Sequence, residues 1–417
     1  PEGVNVYREW SASGSVSVDE NGKVTANAPG SGTITLKIAG QTLTCGVSVE
    51  KKVVEEEIDI VLNTTNDLEN DFTYTVEGGV QSVSIGNTAL AADEYGAENG
   101  TLTIPYETFL TEDGKPRFFG ENIAVSIVTD TTDYELTADI VTYLITAPED
   151  LNAGAADALS PIRAAGGATS TAKVDDATRD WTGYFVLAND IDFEGATVRN
   201  SVQQGGGNRG FRGIFDGRGH SISDFTLASY NSFFGDCVSP TVKNTAFIGM
   251  NVWDGGSSHP GYGLFDYQTV EATVENVYIE AALGAKSKGL TCGVFGWQIV
   301  TSLTMKDVVI VAESLLPGAA GVAQDVAVNS MLCSTGNNFS HTAENVTVVA
   351  DMPFIGAESA ASVNELAGVA KVSYESAVVS AYAGEDAEVA FAGAEKVVSG
   401  LKDVTESVSI QADKVIF

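Results

Sequence analysis

The sequence has little positive charge, and this limits the partners that the protein can have. Its 22 lysine and arginine residues stand against 56 aspartate and glutamate residues, which gives a formal net charge of −34 and a pI of about 4.2. Such a surface repels nucleic-acid phosphates and anionic lipids, so we expect no nucleic-acid partner. The charge suits either a well-solvated extracellular surface, which is the simpler interpretation, or Ca²⁺ ions held between neighbouring carboxylates.

Histidine, cysteine and long hydrophobic runs are also scarce. The three histidines lack the spacing of zinc ligands, and the four cysteines are too few for a disulfide framework and form no CxxC pair. We therefore predict no metal site and no cofactor, with Ca²⁺ as the one alternative. No apolar run approaches the roughly 20 residues that a membrane helix needs, so membrane insertion is not expected.

What remains is a composition rich in small and β-favouring residues. There are 44 glycines, with abundant Thr, Ser, Val and Ala and little Lys, as in secreted surface proteins. The chain shows no signal peptide and opens at Pro1 within a pattern, as a processed or truncated product would. These features predict an extracellular surface protein, with a length that suits about two to four domains.

A pattern recurs five times between Phe215 and Val348. Each copy has an apolar anchor and a polar anchor, and the polar anchor opens an alternating apolar strand. The strands are rich in Val, Ile, Phe and Thr without a helical period, so the recurrence predicts the stacked rungs of a β-solenoid. The apolar anchors are Phe215, Phe234, Phe265, Phe295 and Leu332, and the polar anchors are Asp224, Asn244, Asn276, Asp307 and Asn345.

The polar anchors have a structural interpretation. Amide side chains that align at one corner of successive rungs can hydrogen-bond to one another along the stack. We therefore predict a ladder, in which Asp224 and Asp307 need a neighbouring donor because adjacent carboxylates repel. Three cysteines beside the anchors are expected either to stack as small buried residues or to form a disulfide between rungs. The sequence does not fix the disulfide state of these three or of the fourth: Cys237, Cys292, Cys333 and Cys45.

The first 50 residues alternate with period two and carry turn residues at regular spacing. Short strands between Ser15 and Val49 indicate a β-sandwich. The run VDENGKVTANAPGSGTITLKIAGQTLTCGVSV, with Trp10 before it, resembles the second half of a group 2 bacterial immunoglobulin-like domain. This resemblance implies a cell-surface context and a partial sandwich over residues 1–53 that lacks its opening strand or strands. The turns are predicted at Asn21-Gly22, Pro29-Gly30 and Ala39-Gly40.

Residues 54–147 are also expected to form strands. The run FTYTVEGGVQSVSIG alternates from Phe72, and a hairpin is expected around Asp130 to Asp133. We interpret the segment as a second β-sandwich of no identified family, whose acidic residues are solvated edge charges. The fold class predicted for the chain is therefore all-β, with two immunoglobulin-like β-sandwiches followed by a right-handed parallel β-helix.

The third segment carries a second resemblance. It opens with ITAPEDLNA at Ile145, continues with GYFVLANDIDFEG at Gly183, and adds FRGIFDGRGHSISDFTL and the GLF and GVFG turns. These runs resemble proteins with the GLUG motif, a surface-protein repeat on a right-handed parallel β-helix; FFGD and MLCS depart from the motif. The resemblance spans about residues 145–350 and implies a fold more than an activity. We predict the β-helix over residues 148–365, and degenerate rungs or a cap over 366–417.

One insertion in the repeats is a candidate ligand site. The run NVWDGGSSHPGYG at 251–263 is the longest insertion between clear repeats, and loops on a rigid stack commonly carry binding. Exposed aromatic rings suit carbohydrates, so we predict non-catalytic adhesion to host or environmental glycans, or to surface proteins. The alternative is that these aromatics cover a flank of the solenoid. The predicted binding residues are Trp253, His259, Tyr262, Tyr267 and Trp297.

A carbohydrate-active enzyme is one alternative function. Parallel β-helices also house polysaccharide lyases and glycosidases, which need paired acids on one face of successive rungs. No acid pair recurs at equivalent positions, so no catalytic residue is assigned. The candidate acids are Asp190, Asp192, Asp216, Asp236, Asp254 and Asp266, and the candidate bases are Arg212, Arg218 and His220.

A structural subunit of a surface filament or surface layer is the other alternative. A sandwich without its first strand exposes an edge that can accept a strand from another copy. The apolar strand that ends at Val415, Ile416 and Phe417 would be the donor in such a homopolymer. A family variant with a shorter sandwich would also explain the short first segment.

Overall fold

The computed structural model describes residues 7–152, 159–169, 180–198, 210–228, 232–235, 237–253, 263–265, 268–283, 294–296, 298–314, 340–350, 369–371, 373–374 and 415–416. The fold is all-β, as predicted: strands make up 59 % of it, beside one α-helix, α1 (Pro161–Ala165). Two compact units are present. The first takes its described residues from Pro1–Ile60, Asp71–Thr108 and Glu121–Ile140, and the second from Val61–Asn70, Phe109–Gly120 and Val141–Phe417.

The first unit is built from short strands and a 3₁₀ turn at Tyr106–Phe109. Its strands are β1 (Arg8–Gly14), β2 (Val16–Val18), β3 (Val24–Ala26), β4 (Gly30–Ile38), β5 (Gln41–Val49), β6 (Lys52–Val61), β7 (Phe72–Thr75), β8 (Val80–Ile85), β9 (Thr88–Ala89), β10 (Gly96–Glu98), β11 (Thr101–Ile104), β12 (Gly120–Thr129) and β13 (Thr132–Val141).

Residues 7–49 form a three-stranded antiparallel sheet and a separate hairpin. The sheet has the order β1-β4-β5, and the hairpin joins β2 to β3. The turn between β4 and β5 is Ala39-Gly40, whose φ angles of 48° and 75° suit a two-residue hairpin. In the other hairpin Asp19 accepts the backbone N–H groups of Asn21 and Lys23, and Gly22 follows with φ 85°. Local turn chemistry therefore determines both connections.

Residues 54–141 supply two further sheets, with the orders β6-β13-β12-β8-β9 and β10-β11-β7. β12 and β13 are neighbours across the turn at 130–131, where the hairpin was expected. Their alternate residues are buried, and the apolar core of these sheets includes Val83, Ile85, Leu102, Ile104, Val125, Ile127, Leu136 and Ile140. The immunoglobulin-like assignment and the predicted boundaries at residues 53, 147 and 365 stay predictions.

The second unit contains a stack of parallel strands, besides α1 and a 3₁₀ turn at Pro148–Leu151. The strands are β14 (Tyr143–Ile145), β15 (Tyr184–Leu187), β16 (Ile191–Asp192), β17 (Ile214–Asp216), β18 (Ser221–Ala228), β19 (Thr241–Trp253), β20 (Gln268–Leu283), β21 (Gln298–Ser314), β22 (Ser340–Ala350), β23 (Val369–Lys371), β24 (Ser373–Tyr374) and β25 (Val415–Ile416).

The parallel sheet runs in the order β14-β15-β17-β19-β20-β21-β22-β23, with β16 and β18 forming a second row that joins β19. This is the parallel strand arrangement of a β-helix-like stack. β20 and β21 have 16 and 17 residues, more than an ordinary strand, because each passes a corner without losing its ladder. β24 and β25 lie apart from it and pair antiparallel with each other.

Aromatic rings stack inside the unit, one from each rung. Trp181, Phe211, Phe234, Phe265 and Phe295 follow one another at centroid distances of 4.2, 5.6, 6.0 and 6.0 Å. All five side chains are 2 % exposed or less. A single rung cannot bury such a ring alone, so burial depends on the neighbouring rungs.

Candidate functional site

Of the predicted binding residues, the structure describes the backbone of Trp253. Trp253 is the last residue of β19, and its backbone pairs with Ala228 at the end of β18. The side chain of Trp253 and the whole of His259, Tyr262, Tyr267 and Trp297 lie outside the described residues. Their mutual arrangement therefore stays a prediction.

The ends of four successive strands nevertheless form one row. Ala228 pairs with Trp253, Val252 pairs with Leu283, and Leu283 pairs with Ser314. β18, β19, β20 and β21 thus end within one residue of the same register. We call this row of strand ends the exit edge; the residues that follow it in sequence, 229–231, 254–262, 284–293 and 315–339, lie outside the described residues.

The polar anchors occupy one corner of the stack. The parallel register aligns Asn244 with Asn276, Asp307 and Asn345 in turn. The first three have φ of 51°, 53° and 53°, a left-handed conformation that Asn and Asp tolerate better than other non-glycine residues. The same residue type therefore recurs because each rung must turn at this point.

Hydrogen bonds run along this column in one direction. Asn276 Nδ2 donates to Asn244 Oδ1 over 2.9 Å, and Asn244 Nδ2 donates to Asp216 Oδ1 over 3.1 Å. Asn276 Oδ1 is buried and accepts no hydrogen bond from the described residues. The neighbour of Asn276 on that side is Asp307, whose carboxylate oxygens are acceptors.

Asp224 does not belong to this column, and the predicted ladder must be corrected there. The register aligns Asp224 with Gly249 on the next rung, at a second corner. Their φ angles are 52° and 62°, and Gly195 on the preceding rung has φ 80° and donates its N–H to the Asp224 carbonyl. The sequence pattern aligned Asp224 with Asn244 because both precede an apolar strand, but two different corners have that property.

Asp216 is the residue on which the ladder ends, and it was expected only as a candidate acid. It is 2 % exposed. Its carboxylate accepts the Tyr184 hydroxyl at 2.9 Å and the Arg218 N–H at 2.8 Å besides Asn244, and Lys243 Nζ lies 3.7 Å away. A carboxylate with this many donors is held in place as a structural acceptor.

The other described candidate acids also accept backbone hydrogen bonds. Asp190 Oδ1 accepts the N–H of Ser221 at 2.9 Å and lies 3.4 Å from His220 Nδ1. Asp192 Oδ1 accepts the N–H of Glu194 at 2.7 Å, which closes a tight turn. The candidate base Arg212 faces Asp180 at 3.8 Å. Asp236, Asp254 and Asp266 lie outside the described residues.

Sequence reasoning missed Asp150, which organises the ITAPEDL segment. Asp150 is fully buried, and its carboxylate accepts the hydroxyls of Tyr143 and Thr65, both at 2.7 Å, and the N–H groups of Thr146 and Ala147. Burial, together with the hydrogen bond to Asp150, raises the pKa of Tyr143, so its hydroxyl stays a donor. An acidic residue directly after Pro-Glu in a short helical turn was the available signal.

The cysteines and acidic residues give no metal centre in the part of the chain that is described. No group of three or more His, Cys, Asp or Glu side chains there is arranged to hold a metal ion. Cys237 is buried and its thiol donates to the Gly235 carbonyl at 3.2 Å, whereas Cys45 is an exposed free thiol on β5. Cys292 and Cys333 lie outside the described residues.

Comparisons of the chain with protein-family models, curated proteins and solved structures found no match. None of the described helices is long and apolar enough to span a bilayer.

Proposed function

We propose that this chain is a non-catalytic display and adhesion protein of the bacterial cell surface, which binds glycans through the segments at the exit edge of its stack. The right-handed β-helix with GLUG-like repeats is the scaffold in this proposal. The immunoglobulin-like segments form the stalk of the β-helix in this proposal. The observation that supports the proposal most directly is the common register of the ends of β18, β19, β20 and β21.

That register matters because it places the ends of four strands side by side on one support. The aromatic column and the ladder fix the core of the stack, so a binding site beside these strand ends would rest on a rigid support. Trp253 directly precedes the segment 254–262, and aromatic rings there suit the apolar faces of sugars. Successive rungs at one edge would offer several contacts to an extended glycan.

The absence of catalysis in this proposal is supported by what the described acids do. Asp216 and Asp150 are buried acceptors of several hydrogen bonds, and Asp190 and Asp192 accept backbone N–H groups. A glycosidase needs one acid to release a proton and a second acid facing it across the substrate. These four carboxylates instead support turns and rungs.

A glycan array with the full chain tests the proposal. We expect the wild-type protein to bind a subset of glycans, and Trp253→Ala to lower that binding at least about tenfold. Tyr7→Ala is the matched control, because Tyr7 is 81 % exposed and belongs to the first unit, whereas the exit edge belongs to the second. Unchanged binding in the Trp253 variant, or an equal loss in the Tyr7 variant, would contradict a role of the exit edge in binding.

A role as a structural subunit has separate support in the first unit. β5 is an edge strand, and Leu43 on it is 58 % exposed. An open edge of this kind accepts another strand. This second candidate does not require glycan binding, and both roles can belong to one surface protein.

A further inference from the structure

β5 forms an open edge that lacks the usual protection against strand pairing. It is the last strand of the sheet β1-β4-β5, and no other strand in the described part of the chain pairs with its outer side. Its nine residues, QTLTCGVSV, contain no charge and no proline. Long edge strands in monomeric proteins are commonly blocked by charges, prolines or bulges, so this edge is suited to a partner strand.

The hairpin geometry shows which backbone groups face outwards. Ile38 and Gln41 flank a two-residue turn, so they form the hydrogen-bonded pair that closes it. Bonding to β4 then recurs at every second residue of β5, at odd numbers. The N–H and C=O groups directed away from the sheet therefore belong to Thr42, Thr44, Gly46 and Ser48.

One face of this sheet is apolar and only half covered. The register forms the rows Trp10–Leu36–Leu43 and Ala12–Ile34–Cys45 across it. The hairpin of β2 and β3 covers the side of β1, where Gly22 lies against the Trp10 ring and Val16 against Gly32. On the side of β5, Leu43 is 58 % exposed and Cys45 is exposed as well.

The charge distribution favours a second copy of the same sheet as the occupant. Residues 7–49 contain three basic and three acidic side chains, so this segment is neutral in a chain of net charge −34. Two copies that meet here avoid the repulsion expected elsewhere on the surface. The C-terminal strand β25 is paired with β24 in its own chain, which leaves β5 of a second copy as the better strand.

We propose that two copies of this chain pair antiparallel through β5, around a two-fold axis at Cys45. Cys45 is the middle residue of β5, so the two strands then overlap over their full length. Leu43 of each copy faces Val47 of the other, and the apolar face continues across six strands. Cys45 faces Cys45 in a non-hydrogen-bonded pair, with Cα atoms about 4.5 Å apart. Such a closed, self-complementary contact is the commonest symmetry of protein dimers.

Sedimentation of the full-length chain over a range of concentrations tests the pairing. We expect a reversible monomer–dimer equilibrium without larger species. A short bis-maleimide, whose two maleimide groups each react with one cysteine thiol, should link two chains in the wild type. Cys45→Ser should lose this link while it keeps the dimer. A wild-type dimer in which mass spectrometry finds no peptide linked from Cys45 to Cys45 would overturn the proposed register.

Variants of the edge separate this surface from any other. Leu43→Lys should raise the dimer dissociation constant at least about tenfold, because two lysines would enter the shared face. Val53→Lys is the matched control, since Val53 is 51 % exposed on β6 of the same unit. Thr44→Pro removes an outward N–H and should abolish pairing, whereas Thr44→Val should preserve it.

Several outcomes would overturn the proposal. A wild-type chain that stays monomeric at the highest soluble concentration has no such interface. A dimer that Leu43→Lys and Thr44→Pro both leave unchanged uses another surface. Open-ended fibres would indicate pairing of β5 with β1 of the next copy in place of the two-fold contact. Circular dichroism of the Leu43→Lys variant checks that loss of the dimer is not loss of the fold, because Leu43 is already exposed.

Discussion

The sheet of residues 7–49 and the parallel stack solve the problem of burying apolar surface in different ways. Within 7–49, the buried apolar side chains are those of Val16 and Ile34. In the stack, successive rungs place Phe234, Phe265 and Phe295 at 0 % exposure. A rung is covered by the rungs beside it, whereas a three-stranded sheet with one hairpin has too little material to cover its own face. The stack therefore buries its own apolar side chains, whereas the sheet leaves apolar surface exposed that a partner can cover.

The largest expected effect is at the centre of the aromatic column. Phe265→Ala should lower the free energy of unfolding by about 3–5 kcal/mol, because its removal leaves a cavity. The Phe265 ring centroid lies 6.0 Å from those of Phe234 and Phe295. Hydrogen exchange in denaturant, followed by mass spectrometry, reports the two units separately. Faster exchange should appear in peptides of β19, β20 and β21 and not in β4 or β5. An effect below about 1 kcal/mol would mean that the rungs do not share a core.

Asp150 gives the next largest effect within the second unit. Asp150→Ala should cost about 3 kcal/mol, since it leaves several buried donors without their acceptor, among them the Tyr143 hydroxyl. Asp150→Asn keeps one acceptor oxygen and should cost less. Thermal unfolding of both variants checks this order. If Asn proved as damaging as Ala, the charge of Asp150 would matter more than its hydrogen bonds.

Much of the stack was accessible from sequence because its pattern is local and repeated. The alternation of apolar residues predicted the strands, and the recurrence of Asn predicted that they stack. The position of Asp224 was misjudged because a corner and its neighbour both show a polar residue before an apolar run. Register decides between them, and register is a long-range property. Asp150 was missed because its burial is a long-range property, as is the hydrogen bond from Thr65, which comes from a segment far away in sequence.

The ladder offers a way to stabilise the stack further. Asp307→Asn would supply an N–H₂ group to the buried Asn276 Oδ1, and Asn suits the φ of 53° at this position. We expect a gain of about 1 kcal/mol, measured as a raised unfolding midpoint of the second unit. Asp307→Ala is the control: it has no donor and fits a left-handed φ poorly. A loss of stability in the Asn variant would mean that the Asp307 carboxylate has a structural role of its own.

The smallest effect is expected at Leu43, on the exposed side of the apolar face of the sheet β1-β4-β5. It tests the comparison between this sheet and the parallel stack most directly. Leu43→Ala should change the stability of the monomer by no more than about 0.5 kcal/mol, because the side chain is already 58 % exposed and loses little contact. The measurement must be made at a concentration where the chain is monomeric, since association adds to apparent stability. Ile34→Ala, in the neighbouring row and 8 % exposed, is the control and should cost more. If the two variants cost the same, the face near β5 is covered within one chain and needs no partner. If Leu43→Ala costs less stability than Ile34→Ala at low concentration, and lowers the apparent stability only at high concentration, then the second copy covers this face.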